Sequence, residues 1–386
     1  MGGDLGGDIR ETIRKYWGFD SLRPLQAEAI QAACESRDSL VVLPTGGGKS
    51  LCYQVPPVLK NRTDIVVSPL VSLMKDQVDS LRACGYPAAA IHGGMSVEER
   101  RAVEEELAAG KHALVFVAPE RLVTPDFLRR LDGLDLRAFA IDEAHCISHW
   151  GHDFRPDYRG LAMLKDRFPR AALPAYTATA TARVRRDIVE QLRLRDPAVL
   201  VGCFDRPNLV YRVIPKLDED AQVHKVISRH AGEAVIVYCI SRKDTESLAE
   251  FLRSKKVNAL PYHAGLSPDV RRQTQDAFAA ERIDVVVATV AFGMGIDRSN
   301  VRCVLHAAMP KSIEHYQQET GRAGRDGLPA ECVLLFGAGD TVKYSLFIEQ
   351  KSDPKEQELA RAQLRQVVHY AENSACRRAA LLEYFG

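Results

Sequence analysis

Short apolar runs alternate with amphipathic stretches along most of this chain. In the first half, the apolar runs cover residues 39–43, 65–67, 88–91, 114–117 and 139–141. In the second half, they cover residues 234–240, 260–262, 285–288, 301–305 and 332–336. Turn or helix signals bound each run, which is typical of a doubly wound parallel sheet. The pattern therefore predicts an α/β fold in both halves.

Helical periodicity surrounds these runs. It is clearest in residues 9–17, in a second stretch that ends at Cys34, and in residues 356–370 near the end of the chain. A chain of 386 residues is too long for one ordinary core, so we expect two domains and a short appendage. The residues from Cys203 to Asn208 have the character of a linker. We place the domain borders to give residues 1–205, 206–345 and 346–386.

The composition excludes several classes of protein. It is 46% apolar and 27% charged, as in an ordinary globular protein, and the net charge of +1 means that any contact with nucleic acid must be local. No apolar run approaches the roughly 18 residues that span a membrane. The first ten residues lack the apolar segment of a signal peptide, and the nine cysteines form no CxxC pair. We therefore expect a cytoplasmic or nuclear protein with reduced thiols, and not a secreted one.

A glycine-rich turn after the first apolar run is the strongest chemical signal. Residues 43–50 read Leu-Pro-Thr-Gly-Gly-Gly-Lys-Ser. Consecutive glycines let main-chain N–H groups point inward at a phosphate, and the start of the following helix adds a favourable field. Leu43 stands where the strict phosphate-loop pattern has glycine, so the turn alone could be purely structural. The residues predicted to hold a nucleotide are Thr45, Gly46, Gly47, Gly48, Lys49 and Ser50.

An acidic pair follows the run at 139–141. Asp142 is suited to the coordination shell of a magnesium ion that Ser50 also holds, and Glu143 to orienting and deprotonating a water molecule. An acidic pair after a strand can also be a simple helix cap. Ligands of parallel sheets bind at the carboxyl ends of the strands, where polar residues also follow other runs. These residues are Ser68, Glu120, Thr177 and Thr179.

Two further groups fit a nucleotide. Phe19 and Arg23 could stack on a purine while Gln26 makes a two-pronged amide contact, although Gln26 could equally be a solvated helix start. Near the other end, Arg322 and Arg325 lie three residues apart within a glycine-rich segment. Such arginines can stabilise the negative charge that builds up on a transferring phosphoryl group.

Residues 142–158 make the chain resemble the RecQ family of DNA helicases, within helicase superfamily 2. They read Asp-Glu-Ala-His-Cys-Ile-Ser-His-Trp-Gly-His-Asp-Phe-Arg-Pro-Asp-Tyr, with His149 where the family leads us to expect Gln. The segment after the acidic motif is similar to the aromatic-rich loop with which that family senses single-stranded DNA. The residues that match this loop of the family are Trp150, His152, Phe154 and Arg155.

The resemblance implies roles for further residues. Phe19, Arg23 and Gln26 match the family's adenine-reading motif, and Ser68, Thr177 and Thr179 lie in motifs that contact DNA or link the two sites. Asp297 and Gln318 fall in second-lobe motifs and would contribute to the cofactor site, while Arg322 and Arg325 would be arginine fingers. The resemblance also implies two RecA-like lobes, with ATP and Mg²⁺ as cofactors. It further implies 3′→5′ movement on single-stranded and partially duplex DNA during recombination and repair.

The end of the chain resembles the start of the family's zinc-binding module. Cys376 would be the first of four ligands, and a single cysteine cannot make a structural zinc site, so we expect no zinc here. Two alternatives to a DNA helicase stay open: a DNA-stimulated ATPase core that does not unwind duplex, and an RNA-dependent helicase of the same superfamily.

Overall fold

A computed structural model of the chain describes residues 5–151, 153–292 and 298–386. The chain divides into two compact units, Met1–Phe204 and Asp205–Gly386. Each unit is a parallel β-sheet flanked by helices, which confirms the predicted α/β class with two sheet-containing lobes. The unit border falls next to the expected border after residue 205. A separate third domain from residue 346 stays a prediction.

Seven parallel strands form the sheet of the first unit, in the order β3-β4-β2-β5-β6-β1-β7. The strands are β1 (Ser39–Val42), β2 (Asp64–Val67), β3 (Ala88–Ile91), β4 (Leu114–Val117), β5 (Phe139–Ile141), β6 (Pro174–Thr177) and β7 (Ala198–Val201). Strands β1, β2 and β4 are buried at every residue, as expected when helices cover both faces of a parallel sheet.

Ten α-helices accompany this sheet in the described part of the first unit. They are α1 (Leu5–Trp17), α2 (Gln26–Cys34), α3 (Lys49–Leu59), α4 (Val71–Ala83), α5 (Val97–Ala108), α6 (Pro119–Leu122), α7 (Pro125–Leu131), α8 (Pro156–Arg159), α9 (Leu164–Arg167) and α10 (Ala182–Gln191). Short 3₁₀ helices cover Ala144–Ile147 and Gly160–Met163. A buried cluster that includes Val41, Val66 and Phe116 joins the sheet to α3 and α4.

The second unit has a six-stranded parallel sheet in the order β10-β11-β9-β12-β13-β8. Its strands are β8 (Leu209–Pro215), β9 (Ala234–Tyr238), β10 (Ala259–Tyr262), β11 (Val285–Ala288), β12 (Val301–His306) and β13 (Ala330–Phe336). Its helices are α11 (Glu219–Arg229), α12 (Arg242–Ser254), α13 (Pro268–Ala279), α14 (Ile313–Thr320), α15 (Ala338–Glu349), α16 (Pro354–Glu372) and α17 (Arg377–Phe385).

The apolar runs located most strands to within one or two residues, but they did not reveal β6, which lies inside the first sheet, or the edge strands β7 and β8. Residues of β7 alternate between half-buried and exposed, and β8 is mostly exposed or half-buried. Such strands bury too little apolar surface to stand out as a continuous run. None of the described helices combines the length and apolarity that crossing a membrane requires.

Candidate functional site

The glycine-rich turn connects β1 to α3, so its main-chain N–H groups precede a helix N-terminus. Gly46 and Gly48 have φ angles of +80° and +79°, a region that disfavours side chains. A Cβ atom on Gly47 would lie 2.8 Å from the carbonyl oxygen of Pro44. Helix α3 begins at Lys49. The turn therefore has the geometry of a phosphate cradle, with Lys49 and Ser50 at its end.

Arg23 and Gln26 contact the main chain of this turn directly. The Gln26 side chain donates a 2.9 Å hydrogen bond to the carbonyl oxygen of Gly48, and its amide oxygen accepts one of 2.7 Å from the N–H of Arg23. The Arg23 guanidinium donates to the carbonyl oxygen of Gly46. Phe19 is 51% exposed, which leaves its ring available for stacking. The two polar residues predicted to read adenine thus brace the phosphate loop in this structure.

The acidic pair lies at the carboxyl end of β5, as predicted. Asp142 is buried, and burial, together with the charge of Glu143, raises the pKa of its carboxyl to about 7. Its Oδ1 atom accepts a 3.0 Å hydrogen bond from the N–H of Glu143. Glu143 has a left-handed backbone with φ of +46°, which is uncommon outside glycine and concentrated at functional sites.

Tyr53 is a site residue that the sequence analysis missed. Its buried hydroxyl group donates a 3.0 Å hydrogen bond to Gln77 and interacts with the side chains of Ser50 and Asp142. Tyr53 follows Ser50 by three residues on α3, so helical spacing could have indicated it. Hydroxyl and carboxylate oxygens are the donors that Mg²⁺ prefers, and Ser50 and Asp142 supply both, so these residues fit that ion.

A chain of polar contacts leads away from the acidic pair. The Nδ1 atom of His145 lies 3.3 Å from Glu143 Oε2 and 2.8 Å from Thr177 Oγ1. The N–H of Thr179 in turn donates to Thr177 Oγ1 at 3.4 Å. Thr177 and Thr179 are buried, and so is Ser68, so none of the three presents its side chain at the surface. Their position fits a linking role better than direct contact with DNA.

The aromatic-rich loop, residues 148–158, begins directly after the 3₁₀ helix that carries His145. Trp150 is 42% exposed, and the rings of His149 and Phe154 pack against each other with centroids 3.8 Å apart and planes tilted by 34°. Arg155 pairs with Asp153 at 3.0 Å and donates to the carbonyl oxygen of Pro69 at 2.8 Å. Packing against Phe154 gives His149 a structural position. His152 lies outside the described residues.

Gly151 lets this loop turn tightly. A Cβ atom there would lie 2.5 Å from the carbonyl oxygen of His145. The loop is also bonded to the acidic pair, because the Tyr158 hydroxyl donates a 2.9 Å hydrogen bond to the carbonyl oxygen of Asp142. The Arg183 guanidinium lies 3.1 Å from the centre of the Trp150 ring. No local pattern could have paired Arg183 with Trp150, because they lie on separate elements.

In the second unit, the predicted arginine fingers follow α14. We call residues 321–325, Gly-Arg-Ala-Gly-Arg, the arginine loop. Arg322 is 7% exposed, and its Nε atom has no hydrogen-bond partner within the described ranges. Arg325 and Gln318 are half-buried. Asp297 lies outside the described residues, so its predicted cofactor contact has no structural account.

Two other groups offer metal-binding atoms. His230, Cys303 and Glu331 place one donor atom each within 4.8 Å of one another. Glu331 already pairs with Arg212 at 2.6 Å and with Arg229 at 2.8 Å, and two guanidinium groups would repel a cation. Cys376 is exposed at the start of α17, where the N–H groups of Ala379 and Arg378 lower the pKa of its thiol.

Three family models match consecutive parts of the chain. The DEAD/DEAH box helicase model matches residues 23–188, the helicase conserved C-terminal domain matches residues 218–327, and the RecQ zinc-binding model matches residues 338–386. These matches place the phosphate loop, the acidic pair and Arg322 within helicase domains.

Curated relatives match nearly the whole chain. It is 44% identical over 376 residues to the ATP-dependent DNA helicase RecQ of Pasteurella multocida, covering 97% of this chain and 60% of that protein. It is 43% identical over 379 residues to the protein of the same name from Bacillus subtilis, covering 98% of this chain and 64% of that protein. The chain therefore spans less than two thirds of the length of these relatives.

Solved helicase structures share the fold. Helicase MrfA bound to DNA superposes with a TM-score of 0.72 at 19% identity, over 100% of this chain and 59% of that one. The DEAD-box helicase Mss116 bound to single-stranded RNA gives a TM-score of 0.71 at 18% identity, over 94% of this chain and 81% of that one. At this identity the likeness concerns the fold alone.

Proposed function

The chain belongs to the RecQ family of helicases, and we propose that it is an ATP- and magnesium-dependent motor that moves 3′→5′ on single-stranded DNA. Its role would be in DNA recombination and repair. One observation carries the coupling of DNA to nucleotide. The loop with Trp150 is hydrogen-bonded through Tyr158 to Asp142, the acidic residue beside the phosphate loop. A change in the loop therefore acts on the acidic pair through Tyr158 on the short helix α8.

The nucleotide would lie on the turn between β1 and α3. Thr45, the three glycines and Lys49 would hold the phosphates, and Phe19 would stack on adenine while Arg23 and Gln26 exchange their loop contacts for the base. Ser50 and Asp142 would hold Mg²⁺, which neutralises charge on the phosphates. Glu143 would orient and deprotonate the attacking water. Gln318 and Asp297 would contribute from the second unit.

Arg322 and Arg325 would stabilise the charge that develops on the transferred phosphoryl group. The nearly complete burial of Arg322, with an Nε atom that lacks a partner among the described residues, supports this role. Such an arginine has its largest effect when it meets the nucleotide only in the reactive state, since binding that is equal in ground and transition states does not raise turnover.

DNA would bind through stacking and phosphate contacts. Trp150, Phe154 and Arg155 provide ring faces and a guanidinium, and His152 would join them. Binding of this kind is indifferent to sequence and weakens as salt rises. Single-stranded and partially duplex DNA are the proposed partners, in the bacterial nucleoid or the nucleus. We further propose that Cys376 alone does not hold zinc in this chain.

Steady-state ATP hydrolysis tests the proposal. We expect single-stranded DNA to stimulate turnover at least about tenfold, RNA of the same length to stimulate it much less, and Lys49→Ala to abolish it. Stimulation by RNA and not by DNA would instead favour an RNA-dependent helicase. Stimulation by DNA without separation of a duplex that carries a 3′ tail would leave a translocating ATPase as the function.

A further inference from the structure

The arginine loop depends on donors from outside its own turn. It runs from the end of α14 towards β13 and has a left-handed residue at Gly324, with φ of +53°. Its carbonyl groups at Gly321, Ala323 and Gly324 belong to buried residues, so each needs a hydrogen-bond donor to remain stable.

Side chains of what we call the lead segment, residues 205–209 at the start of the second unit, donate to all three carbonyl groups. Gly324 also accepts from the N–H of Gly327 at 3.1 Å. The Arg206 guanidinium donates to the carbonyl oxygens of Gly321 at 3.4 Å, Ala323 at 2.9 Å and Gly324 at 2.8 Å. These acceptors lie between and beside Arg322 and Arg325 in the chain. A planar guanidinium with five N–H donors can serve several acceptors of one turn at once, which an ammonium group cannot match.

Asn208 supports the same turn through its side-chain amide. Its amide donates to the carbonyl oxygens of Gly324 and Leu328, each at 2.9 Å. The approach is so close that a Cβ atom on Gly324 would lie 2.5 Å from the Asn208 amide nitrogen. Between them, Arg206 and Asn208 contact the first residue of the loop, its central turn and Leu328 just beyond it.

The lead segment is held in turn by α17. Arg378 donates to the carbonyl oxygens of Pro207 at 3.1 Å and Leu209 at 2.7 Å, and its Nε atom lies 3.6 Å from the carboxylate of Asp205. A second tether from α17 reaches the helix before the arginine loop, because the Tyr384 hydroxyl donates to buried Glu314 on α14 at 2.7 Å.

We propose that Arg206 and Asn208 are positioning residues for the arginine fingers, and that Arg378 transmits the position of the C-terminal helix to them through the lead segment. Neither Arg206 nor Arg378 needs to touch the nucleotide. The inference rests on the proposed ATPase, and it adds that the segment matching the zinc-binding family model helps to set the rate of that reaction.

The test compares ATP hydrolysis by this chain and its variants in the presence of saturating single-stranded DNA. We expect Arg206→Ala to lower kcat by roughly ten- to a hundredfold, with the KM for ATP changed less than about threefold. Arg206→Lys should recover part of the loss, because an ammonium group can still serve one of the three carbonyl oxygens. Asn208→Ala should lower kcat less, since Arg206 still contacts Gly324.

A double-mutant cycle separates positioning from general damage. If Arg206 acts through the arginine fingers, adding Arg206→Ala to Arg322→Ala should cost less than about twofold further. A full multiplicative loss in the double variant would overturn the proposal, and so would an Arg206→Ala kcat within twofold of the parent. If Arg206→Ala does not fold, the same two criteria apply to Arg206→Lys and Asn208→Ala.

Arg377 provides a matched control for Arg378. It is the neighbouring residue on α17 and also donates to main-chain carbonyl oxygens, but its acceptors are Tyr370 and Ala371 at the end of α16 and not residues of the lead segment. We expect Arg378→Ala to lower kcat about three- to tenfold and Arg377→Ala to leave it within twofold. Equal losses in both would refute transmission through the lead segment. Absence of ATPase in the parent would instead refute the proposed function.

Discussion

The hydroxyl group of Tyr158 donates a 2.9 Å hydrogen bond to the carbonyl oxygen of Asp142, and both residues are buried. Tyr158 ends the aromatic-rich loop, and Asp142 begins the acidic pair. The same bond therefore closes the loop and fixes the main chain next to Glu143, whose left-handed backbone leaves little freedom for adjustment.

Removing this bond should uncouple DNA from hydrolysis. Tyr158→Phe keeps the ring in its buried position but leaves the Asp142 carbonyl oxygen without its donor. Because an unsatisfied buried acceptor costs about 1–3 kcal/mol, we expect the ratio of DNA-stimulated to basal turnover to fall roughly three- to tenfold. Steady-state ATPase with and without single-stranded DNA measures this ratio.

Tyr86 supplies the matched control. Its hydroxyl group also donates to a buried main-chain oxygen, that of Gln54, at 2.6 Å. Tyr86→Phe should lower stability by a similar amount but leave the ratio within twofold. The same fall in both variants would mean that the ratio follows stability and not the contact with Asp142.

A side chain at Gly48 would strain the backbone and displace the Gln26 amide from the phosphate loop. Gly48 has a positive φ, and a Cβ atom there would lie 2.3 Å from the Gln26 amide nitrogen. Gly110 has a similar φ of +67° but open space around it. Both alanine variants should lose about 1–2 kcal/mol of stability from backbone strain, but only Gly48→Ala should weaken ATP binding, by at least about tenfold.

Titration with a fluorescent ATP analogue and urea unfolding measure these two effects separately. Equal ATP affinity in Gly48→Ala and Gly110→Ala would contradict the placement of the nucleotide on this turn.

Burial of Asp142 makes stability depend on pH in the nucleotide-free protein. The pKa of this carboxyl is about 7, against an ordinary value of 3.8, because burial favours its protonated form. The protonated carboxyl makes its full contribution to the free energy of unfolding below pH 4. This contribution is lost as pH rises to about 7. Asp142→Asn carries no charge at this position. Its free energy of unfolding, relative to that of the parent, should therefore rise by roughly 2–3 kcal/mol between pH 5 and pH 8.

Denaturant unfolding in the presence of EDTA and without nucleotide is the appropriate measurement. A difference between Asp142→Asn and the parent that stays constant over this pH range would show that the carboxyl is not buried in its protonated form.

Features formed by residues that are close in sequence are predictable from the sequence alone. The glycine turn before Lys49 and the acidic pair after β5 follow from local spacing, and the structure brings both to the carboxyl edge of one sheet. The burial of Ser68, Thr177 and Thr179 was not predictable from the sequence, because a polar residue that follows a strand can be either buried or exposed to solvent.

Contacts over long sequence distances were not predictable. Arg206 reaches Gly321 across 115 residues, and nothing in either segment indicates the other. Arg183 and Trp150 likewise meet only because α10 packs beside the 3₁₀ helix before the loop. Such pairs depend on how helices pack on a sheet, which hydrophobic periodicity does not specify.

The most direct measurement of the central claim is the ratio of ATP turnover with and without single-stranded DNA in the parent chain and in Trp150→Ala. Truncating this half-exposed ring removes the stacking surface without touching the phosphate loop. We predict strong stimulation in the parent, and in Trp150→Ala a ratio near one with basal turnover retained. Full stimulation of Trp150→Ala by DNA would contradict the assignment of the aromatic-rich loop as the element that couples DNA to hydrolysis.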